Sequence, residues 1–188
     1  MLAYLFWHRP YPTAEPRRYE EALASFQRRL SDNPPPGFRA VGSYRISPVP
    51  WLDGKSGYED WCYVDGSWAL DPLNGFAVAG AMKTPHDSAA AMAEVGHGGL
   101  YALAWGTPEL LQRTTTTWLT RPRGIDWQAA LAPVRAQFPN ATCWRRQMAL
   151  GQAAEFAVVV PAGQQAAAPS GWTALHVSGE RVSPSNKT

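Results

Sequence analysis

Apolar residues fall into short runs along this chain, and the period of each run predicts an element of secondary structure. The first run, from Leu2 to His8, is rich in aromatic residues and is ended by Pro10, which is typical of a strand. Apolar residues then recur at helical spacing and predict a helix from Glu15-Pro16 to about Leu30. Two further strands are predicted over 39–46 and 58–64, on either side of a loop rich in Pro and Gly.

The pattern is less regular between residues 66 and 105. An interrupted helix is predicted over 66–82. Thr84 is a typical N-cap residue, so a second helix is predicted to begin there and to continue to about Val95. The run Gly96 to Gly99 is expected to end this helix, and the apolar run from Leu100 to Trp105 predicts a fourth strand.

The second half of the chain shows the same order of runs. Phe6 to Pro10 (FWHRP) matches Trp118 to Pro122 (WLTRP), and an aromatic residue opens the next helix in each half, Tyr19 and then Trp127. Such self-similarity indicates a duplicated unit. The matched elements are a helix over 127–137 and strands over 114–120, 142–150, 155–160 and 172–177. Only 11 residues separate Val160 from Trp172, so a second helix is not expected in this half.

The order strand, helix, strand, strand, helix, strand is the ferredoxin-like pattern. A four-stranded sheet with helices on one face leaves an apolar face that has to pack against another surface. The sequence therefore predicts an α+β fold of two ferredoxin-like units, residues 1–107 and 112–180. Their antiparallel sheets would form one pseudo-symmetric barrel with the helices outside. The polar segment 183–188 is expected to be a disordered tail.

These features resemble the dimeric α+β barrel superfamily. The resemblance rests on the Arg-Pro after the first strand, the aromatic residue that opens the next helix, and the tandem order, and it covers most of residues 2–178. That superfamily includes antibiotic-biosynthesis-type monooxygenases, EthD-like proteins, stress-responsive barrel proteins, muconolactone isomerases and haem-handling proteins. The resemblance implies a ligand inside the barrel or between the sheet and the helices. It carries over no catalytic residue.

Composition and charge narrow the classes of function. The net charge of +2, with only short arginine pairs on the first helix, does not predict a nucleic-acid partner. No apolar run approaches 18 residues, and no secretory signal is recognised at the N-terminus, so a cytoplasmic protein without a membrane partner is expected. Cys62 and Cys143 are expected to be reduced and buried.

The aromatic residues are the main candidates for ligand binding. Nine Trp, seven Tyr and six Phe are many for 188 residues, and they fit either a core of large rings or an aromatic-lined cavity. On the strand over 58–64, Glu59, Trp61 and Tyr63 share one face. Tyr63 is the candidate catalytic residue there, since a buried hydroxyl needs a partner. The candidate ligand-binding rings are those of Tyr4, Phe6, Trp51 and Trp61.

Two histidines and one arginine complete the candidate set. His8 is either a strand-end residue near solvent or a general base at a cavity mouth. His86 is either incidental to a helix start or a neutral imidazole that acts as a base or donor there. Arg45 is either a solvated edge residue or a ligand for a carboxylate or enolate.

The sequence leaves several functions open because it contains no nucleophile elbow, P-loop or dinucleotide fingerprint. The first is binding of a small apolar or aromatic molecule without catalysis. The second is a cofactor-independent monooxygenase, isomerase or lyase acting on a small aromatic or polyketide-like molecule. The third is haem binding through His8, His86 or His176, although no histidine pair has metal-site spacing. Both a monomer and a homodimer are compatible with the sequence.

Overall fold

A computed structural model describes residues 1–149, 153–164 and 167–182. The predicted tail and Leu150, at the end of a predicted strand, lie outside these residues. The described residues form eight strands: β1 Leu2–Pro10, β2 Phe38–Val49, β3 Lys55–Val64, β4 Ala93–Trp105, β5 Arg113–Thr120, β6 Thr142–Ala149, β7 Phe156–Pro161 and β8 Thr173–Arg181. The α-helices are α1 Pro16–Asp32, α2 Leu70–Ala77, α3 Lys83–Ala90 and α4 Trp127–Gln137. Short 3-10 helices cover Pro50–Leu52, Ser67–Ala69 and Gly80–Met82.

The eight strands form one closed antiparallel barrel in the order β1-β3-β2-β8-β5-β7-β6-β4. The order β4-β1-β3-β2 in the first half is the same as β8-β5-β7-β6 in the second. The halves join where β2 pairs with β8 and where β4 pairs with β6. The predicted α+β fold with an antiparallel barrel and helices outside is therefore confirmed.

The inside of the barrel is one core cluster to which all eight strands contribute. On β1, Leu5 and Trp7 face inward, whereas Phe6 and His8 face outward toward the helices. This alternation follows from the two-residue period of a strand. The buried apolar side chains that the strands contribute to this cluster are Ala3, Leu5, Trp7, Tyr44, Ile46, Val49, Trp61, Tyr63, Tyr101, Trp118, Trp144, Ala157 and Val177.

The helices of each half lie on the outer face of the barrel. In the first half, α1 starts after Pro16, and the Glu15 carboxylate caps it by accepting from the backbone N–H groups of Arg17 and Arg18. In the second half, Asp126 caps α4 by accepting from the Gln128 N–H. Between β7 and β8 the described residues form no helix.

Two sequence expectations in the first half are wrong. The helix α3 begins at Lys83 with Met82 at its N-cap, so Thr84 is not the cap, and the helix ends at Ala90 instead of Val95. The glycines of 96–99 lie inside β4 and do not form a turn. They fit there because aromatic rings of β1 cover them: a Cβ on Gly96 would collide with the Phe6 ring. Tertiary packing has overridden the local breaker signal.

Candidate active site in the barrel interior

A carboxylate lies in the middle of the aromatic core. Glu59 is on the inward face of β3, opposite Trp7 of β1 and Tyr44 of β2. The indole N–H groups of Trp7 and Trp61 each donate to it at 2.6 Å. Glu59 is 2% exposed. Burial raises the pKa of Glu59 to about 7, against the two indole hydrogen bonds, which lower it.

The rings around Glu59 form a continuous aromatic network. Trp118 of β5 is its centre, with ring centroids 5.5 Å from Trp7, 5.3 Å from Trp51, 6.4 Å from Trp61 and 5.7 Å from Tyr101. Such spacings are those of favourable edge-to-face and offset contacts. The network keeps the carboxylate in surroundings that are almost entirely apolar, which is the physical cause of its weakened acidity.

The loop after β2 brings Trp51 into this network. Pro50 starts the 3-10 helix, and left-handed backbone at Asp53 (φ 57°) and Gly54 (φ 69°) turns the chain back into β3. Trp51 thereby packs edge-on against Trp7, with ring centroids 5.6 Å apart. The Pro- and Gly-rich loop thus closes one end of the barrel.

Three indole groups bring unused donors to the core. The Nε1 atoms of Trp51, Trp118 and Trp144 are buried and have no hydrogen-bond partner among the described residues. Trp118 and Trp144 are at most 1% exposed. A buried donor without a partner costs about 1–3 kcal/mol.

Two tyrosines and an arginine lie on the same inward surface. Burial raises the pKa of Tyr44 to about 12, with Arg181 lowering it and Glu59 raising it. Burial also raises the pKa of Tyr63, and both Glu59 and Arg181 act on it. Arg181 of β8 is the strand partner of Tyr44, and its guanidinium donates to the Leu110 carbonyl at 3.0 Å. Hydroxyl, guanidinium and carboxylate therefore act on one another inside the barrel.

A cavity of about 320 Å³ opens at the end of the barrel where β3 ends and β6 begins. This volume is at the lower end of the range for small-molecule sites. Tyr63 and Trp144 line it with stacked rings, whose centroids are 5.2 Å apart and whose planes differ by 22°. Trp61, 5.9 Å from Trp144, lies between these rings and Glu59.

The sequence-predicted residues Trp51, Trp61 and Tyr63 are therefore together in the barrel interior. His8 is on the other face of the sheet, 1% exposed beneath α1, and is neither near solvent nor at a cavity mouth. Its Nδ1 is 2.5 Å from the Tyr19 hydroxyl. Its Nε2 is 3.2 Å from Asp60 Oδ1, but without the alignment of a hydrogen bond. Its ring lies between those of Phe6 and Tyr58.

The other predicted residues also lie outside the barrel. Tyr4 is 39% exposed on the outer face of β1. Arg45 faces outward as well, where its guanidinium binds Glu20 at 2.6 Å and lies 3.7 Å from Glu180. His86 is 3.1 Å from Asp87 on the exposed part of α3. Neither Arg45 nor His86 joins the aromatic residues inside, because the Arg45 guanidinium pairs with Glu20 and the His86 ring contacts Asp87 in the outer layer.

The three histidines considered for haem do not converge. His8 has Tyr19 and Asp60 at its two ring nitrogens, His86 is on the surface of α3, and His176 is exposed on β8 beside Thr117. The three histidines therefore do not share one site in the structure. Over residues 1–149, 153–164 and 167–182, no group of three or more His, Cys, Asp or Glu side chains is placed to hold a metal ion.

Sequence reasoning placed Glu59 on the correct face but assigned it no role, and it missed Trp7, Trp118 and Arg181. The alternation of side chains along β1 was the available signal for Trp7. Because Trp7 and His8 are adjacent in sequence, they face opposite sides of the strand. The match of FWHRP with WLTRP is offset by one residue in the structure, because Phe6 faces outward and Trp118 inward. Cys62 and Cys143 are free and buried, as predicted.

No family model and no curated protein matches this chain. Several solved structures do match it. An anthrone oxidase-like protein is 13% identical, with a TM-score of 0.50, over 100% of this chain and 94% of the other. A putative monooxygenase from Lactobacillus acidophilus is 10% identical, with a TM-score of 0.56, over 97% and 94% of the two chains. A putative chlorite dismutase is 11% identical, with a TM-score of 0.54, over 97% and 95%.

These identities are low, so the similarities establish the fold and no activity. No helix within the described ranges is long and apolar enough to cross a bilayer. This chain shares the barrel fold of the putative monooxygenase and the putative chlorite dismutase.

Proposed function

We propose that this chain is an enzyme that binds a small planar aromatic molecule inside the barrel and oxidises it with O2, with Glu59 as the base that takes a proton from it. The observation that carries the proposal is the buried Glu59 carboxylate, whose pKa is about 7. A base with a pKa near the working pH is the most effective general base. A buried carboxylate also destabilises the fold, and groups retained at such a cost are frequent at functional sites.

The surrounding rings supply what an aromatic ligand needs. Tyr63 and Trp144 line the cavity, and the buried indole N–H groups of Trp118 and Trp144, without a partner among the described residues, would donate to a carbonyl oxygen of a ligand that reaches them. When a proton leaves a carbon next to a carbonyl group, negative charge develops on that oxygen. Preorganised donors in an apolar site stabilise such charge strongly.

Trp61 is the side chain that controls access from the cavity to Glu59. Tyr63 and Glu59 are four residues apart on β3, about 13 Å along the strand, with Trp61 midway between them. A ligand that moves the Trp61 ring also removes its N–H from the carboxylate. Because that hydrogen bond lowers the pKa of Glu59, its loss makes the carboxylate a stronger base.

The reaction balances with O2 as the only co-reactant. The C–H bond breaks as Glu59 accepts the proton, and the carbanion transfers electrons to O2 and forms a C–O bond. The resulting peroxide takes the proton back from Glu59 and becomes a hydroperoxide. Loss of water from the hydroperoxide leaves a ketone, so that a ring CH2 and O2 become C=O and H2O. The names of two similar structures, an anthrone oxidase-like protein and a putative monooxygenase, are compatible with this class of reaction.

The test uses anthrone as the probe substrate, with O2 uptake and formation of the quinone as the readouts. The wild type is expected to accelerate oxidation above the spontaneous rate, and Glu59→Gln is expected to reduce the acceleration by about 10²- to 10⁴-fold. Glu21→Gln, which changes an exposed carboxylate on α1, is the matched control and should be unaffected. A Glu59→Gln protein as fast as the wild type contradicts the role of Glu59.

Binding without turnover is the second candidate function, because the stacked rings of Tyr63 and Trp144 serve a binder equally well. It predicts that anthrone quenches tryptophan fluorescence saturably while its oxidation rate stays at the spontaneous value. Glu59→Gln would then bind as the wild type does.

We also infer that residues 1–107 and 112–180 are two copies of one unit, so that a single chain closes the barrel. The common strand order of the two halves supports this inference. A monomer of 20.6 kDa is expected in native mass spectrometry. A homodimer that persists on dilution would contradict the expectation of a monomer.

A further inference from the structure

A second concave surface lies at the other end of the barrel from the aromatic cavity. It is a groove of about 380 Å³ between the turn that follows β5 and the segment that leads into β7. Three arginines, Arg121, Arg123 and Arg146, line it together with one carboxylate, Glu155. The groove therefore has a formal charge of +2 from its lining side chains.

Glu155 forms an ion pair with one of the arginines, Arg121. Its carboxylate accepts from Arg121 Nε at 3.0 Å and from the Arg121 backbone N–H at 3.1 Å. Arg121 also donates to the Ile125 carbonyl, which fixes its guanidinium in the turn. The nearby Asp126 caps α4 through the Gln128 N–H. These contacts leave two positive side chains without a carboxylate among the described residues, Arg123 and Arg146.

Arg146 connects this groove to the barrel. It is the strand partner of Tyr101, whose ring is in the aromatic network, and its guanidinium donates to the Ala153 carbonyl at the groove wall. Arg146 also lowers the pKa of Tyr101, which burial raises, so the guanidinium is close enough to act on that hydroxyl. One hydrogen bond to a carbonyl leaves most of the N–H groups of a guanidinium for an anion.

We propose that this groove binds the anionic oxygen group of a small molecule, a carboxylate or a phosphate, through Arg123 and Arg146. Guanidinium groups bind both anions through paired, charge-assisted hydrogen bonds. The fixed Arg121–Glu155 pair forms one wall, and the exposed Arg123 on the turn is free to close over the anion. The proposal is independent of proton transfer at Glu59.

The test is an NMR titration of arginine Nε–Hε signals in the full chain, with inorganic phosphate and 2-naphthoate as separate probes at low ionic strength. We expect saturable shifts at Arg123 and Arg146 with at least one probe. Tighter binding of 2-naphthoate assigns the site to an organic acid, and tighter binding of phosphate assigns it to a phosphate group. Shifts that do not saturate, or that are equally large at Arg28 and Arg113, would overturn the proposal.

Variants distinguish anion binding by these two arginines from attraction of the anion to the general positive charge of the surface. Arg123→Gln, on an exposed turn, is expected to fold normally and to weaken binding about tenfold. Arg146→Gln is expected to weaken it at least as much. Because Arg146 has a structural contact with Ala153, a circular dichroism spectrum and melting curve accompany that variant. Arg113→Gln is the control with unchanged affinity. Wild-type affinity in Arg123→Gln would contradict the site even if Arg146→Gln failed to fold.

Discussion

The two halves of the barrel have the same strand order but very different interiors and outer layers. The first half buries Glu59 inside the barrel and His8 beneath α1. The layer beneath α4 in the second half is built on apolar core residues: Leu119, Ala130, Val134, Phe138, Ala141, Cys143, Phe156 and Val158. The buried polar side chains of that half are threonines such as Thr117, and none of the buried histidines and carboxylates of the described residues lies there. Since the second half forms the same strand order without them, the buried histidine and carboxylate of the first half are not demanded by the fold. They are therefore the residues in which to look for function.

The difference is visible on a single strand of each half. On β3, Glu59 faces the barrel interior and Asp60 faces α1, so both surfaces of the strand carry a carboxylate. On β7, Ala157 faces inward and Val158 faces α4. The second half supplies packing, above all through Trp118, and the first half supplies the groups that can exchange protons.

The largest effect is expected where the second half packs against the first. Trp118→Ala removes a fully buried ring that touches four other aromatic rings. We expect the free energy of unfolding to fall by about 3–5 kcal/mol. Trp68→Ala, at a position that is 59% exposed, should change it by less than about 0.5 kcal/mol. Urea unfolding measures both, and equal losses would contradict the central position of Trp118.

A large effect of pH is expected from Glu59. Its pKa is raised from 4.5 to about 7 in the folded protein, so between these values the folded state binds the proton and the unfolded state does not. Stability from this group is therefore present below about pH 4.5 and is lost as pH rises through 7, by roughly 3 kcal/mol in total. Glu59→Gln has no such loss. Urea unfolding from pH 4.5 to 8 should show the wild type losing stability relative to this variant, and a constant difference would contradict the raised pKa.

The buried histidine of the first half should matter for stability and not for catalysis. His8→Ala leaves the Tyr19 hydroxyl without its hydrogen-bond partner and removes the ring between Phe6 and Tyr58, and it should cost about 2–3 kcal/mol. His176→Ala, at the exposed histidine of the second half, should cost less than about 0.5 kcal/mol. Thermal unfolding compares the two. If turnover by His8→Ala falls more than tenfold at a temperature where it stays folded, the outer layer takes part in the reaction.

Substitutions of two tryptophans distinguish the effect of packing on the pKa of Glu59 from the effect of hydrogen bonding. Trp61→Phe removes an indole that donates to Glu59, whereas Trp118→Phe removes one without a partner. We expect the first variant to raise the midpoint of Glu59 titration by about one pH unit and the second to leave it nearly unchanged. The pH dependence of turnover reports both midpoints. The same midpoint in the two variants would show that the Trp61 hydrogen bond does not tune the carboxylate.

The smallest effect is expected at His86. His86→Ala changes an exposed side chain on α3 whose polar contact is with Asp87. Turnover should stay within about twofold of the wild-type value, and stability within about 0.5 kcal/mol. A steady-state assay and a melting curve are sufficient. A clear loss of turnover would mean that the outer face of the first half contributes to the site.

The strands and helices were largely predictable because β1, β3, α1 and α4 have clear apolar periods. The shared face of Glu59, Trp61 and Tyr63 followed from the same alternation. What the sequence could not show was which strands pair between the two halves, β2 with β8 and β4 with β6. This pairing brings Trp118 and Arg181 onto the face that Glu59 occupies. Local signals failed at Gly96, where a ring from a distant strand fills the space, and at Thr84, one residue inside α3.

The central claim is that Glu59 is a base with a pKa near neutrality inside the barrel. The most direct test is a ¹³C NMR titration of side-chain carboxyl groups in the folded wild type, with Glu59→Gln used to assign the Glu59 signal. We predict a midpoint near pH 7 for this signal. A midpoint near 4.5, the ordinary value for a glutamate, would contradict the claim that the barrel interior raises the pKa of Glu59 toward neutrality.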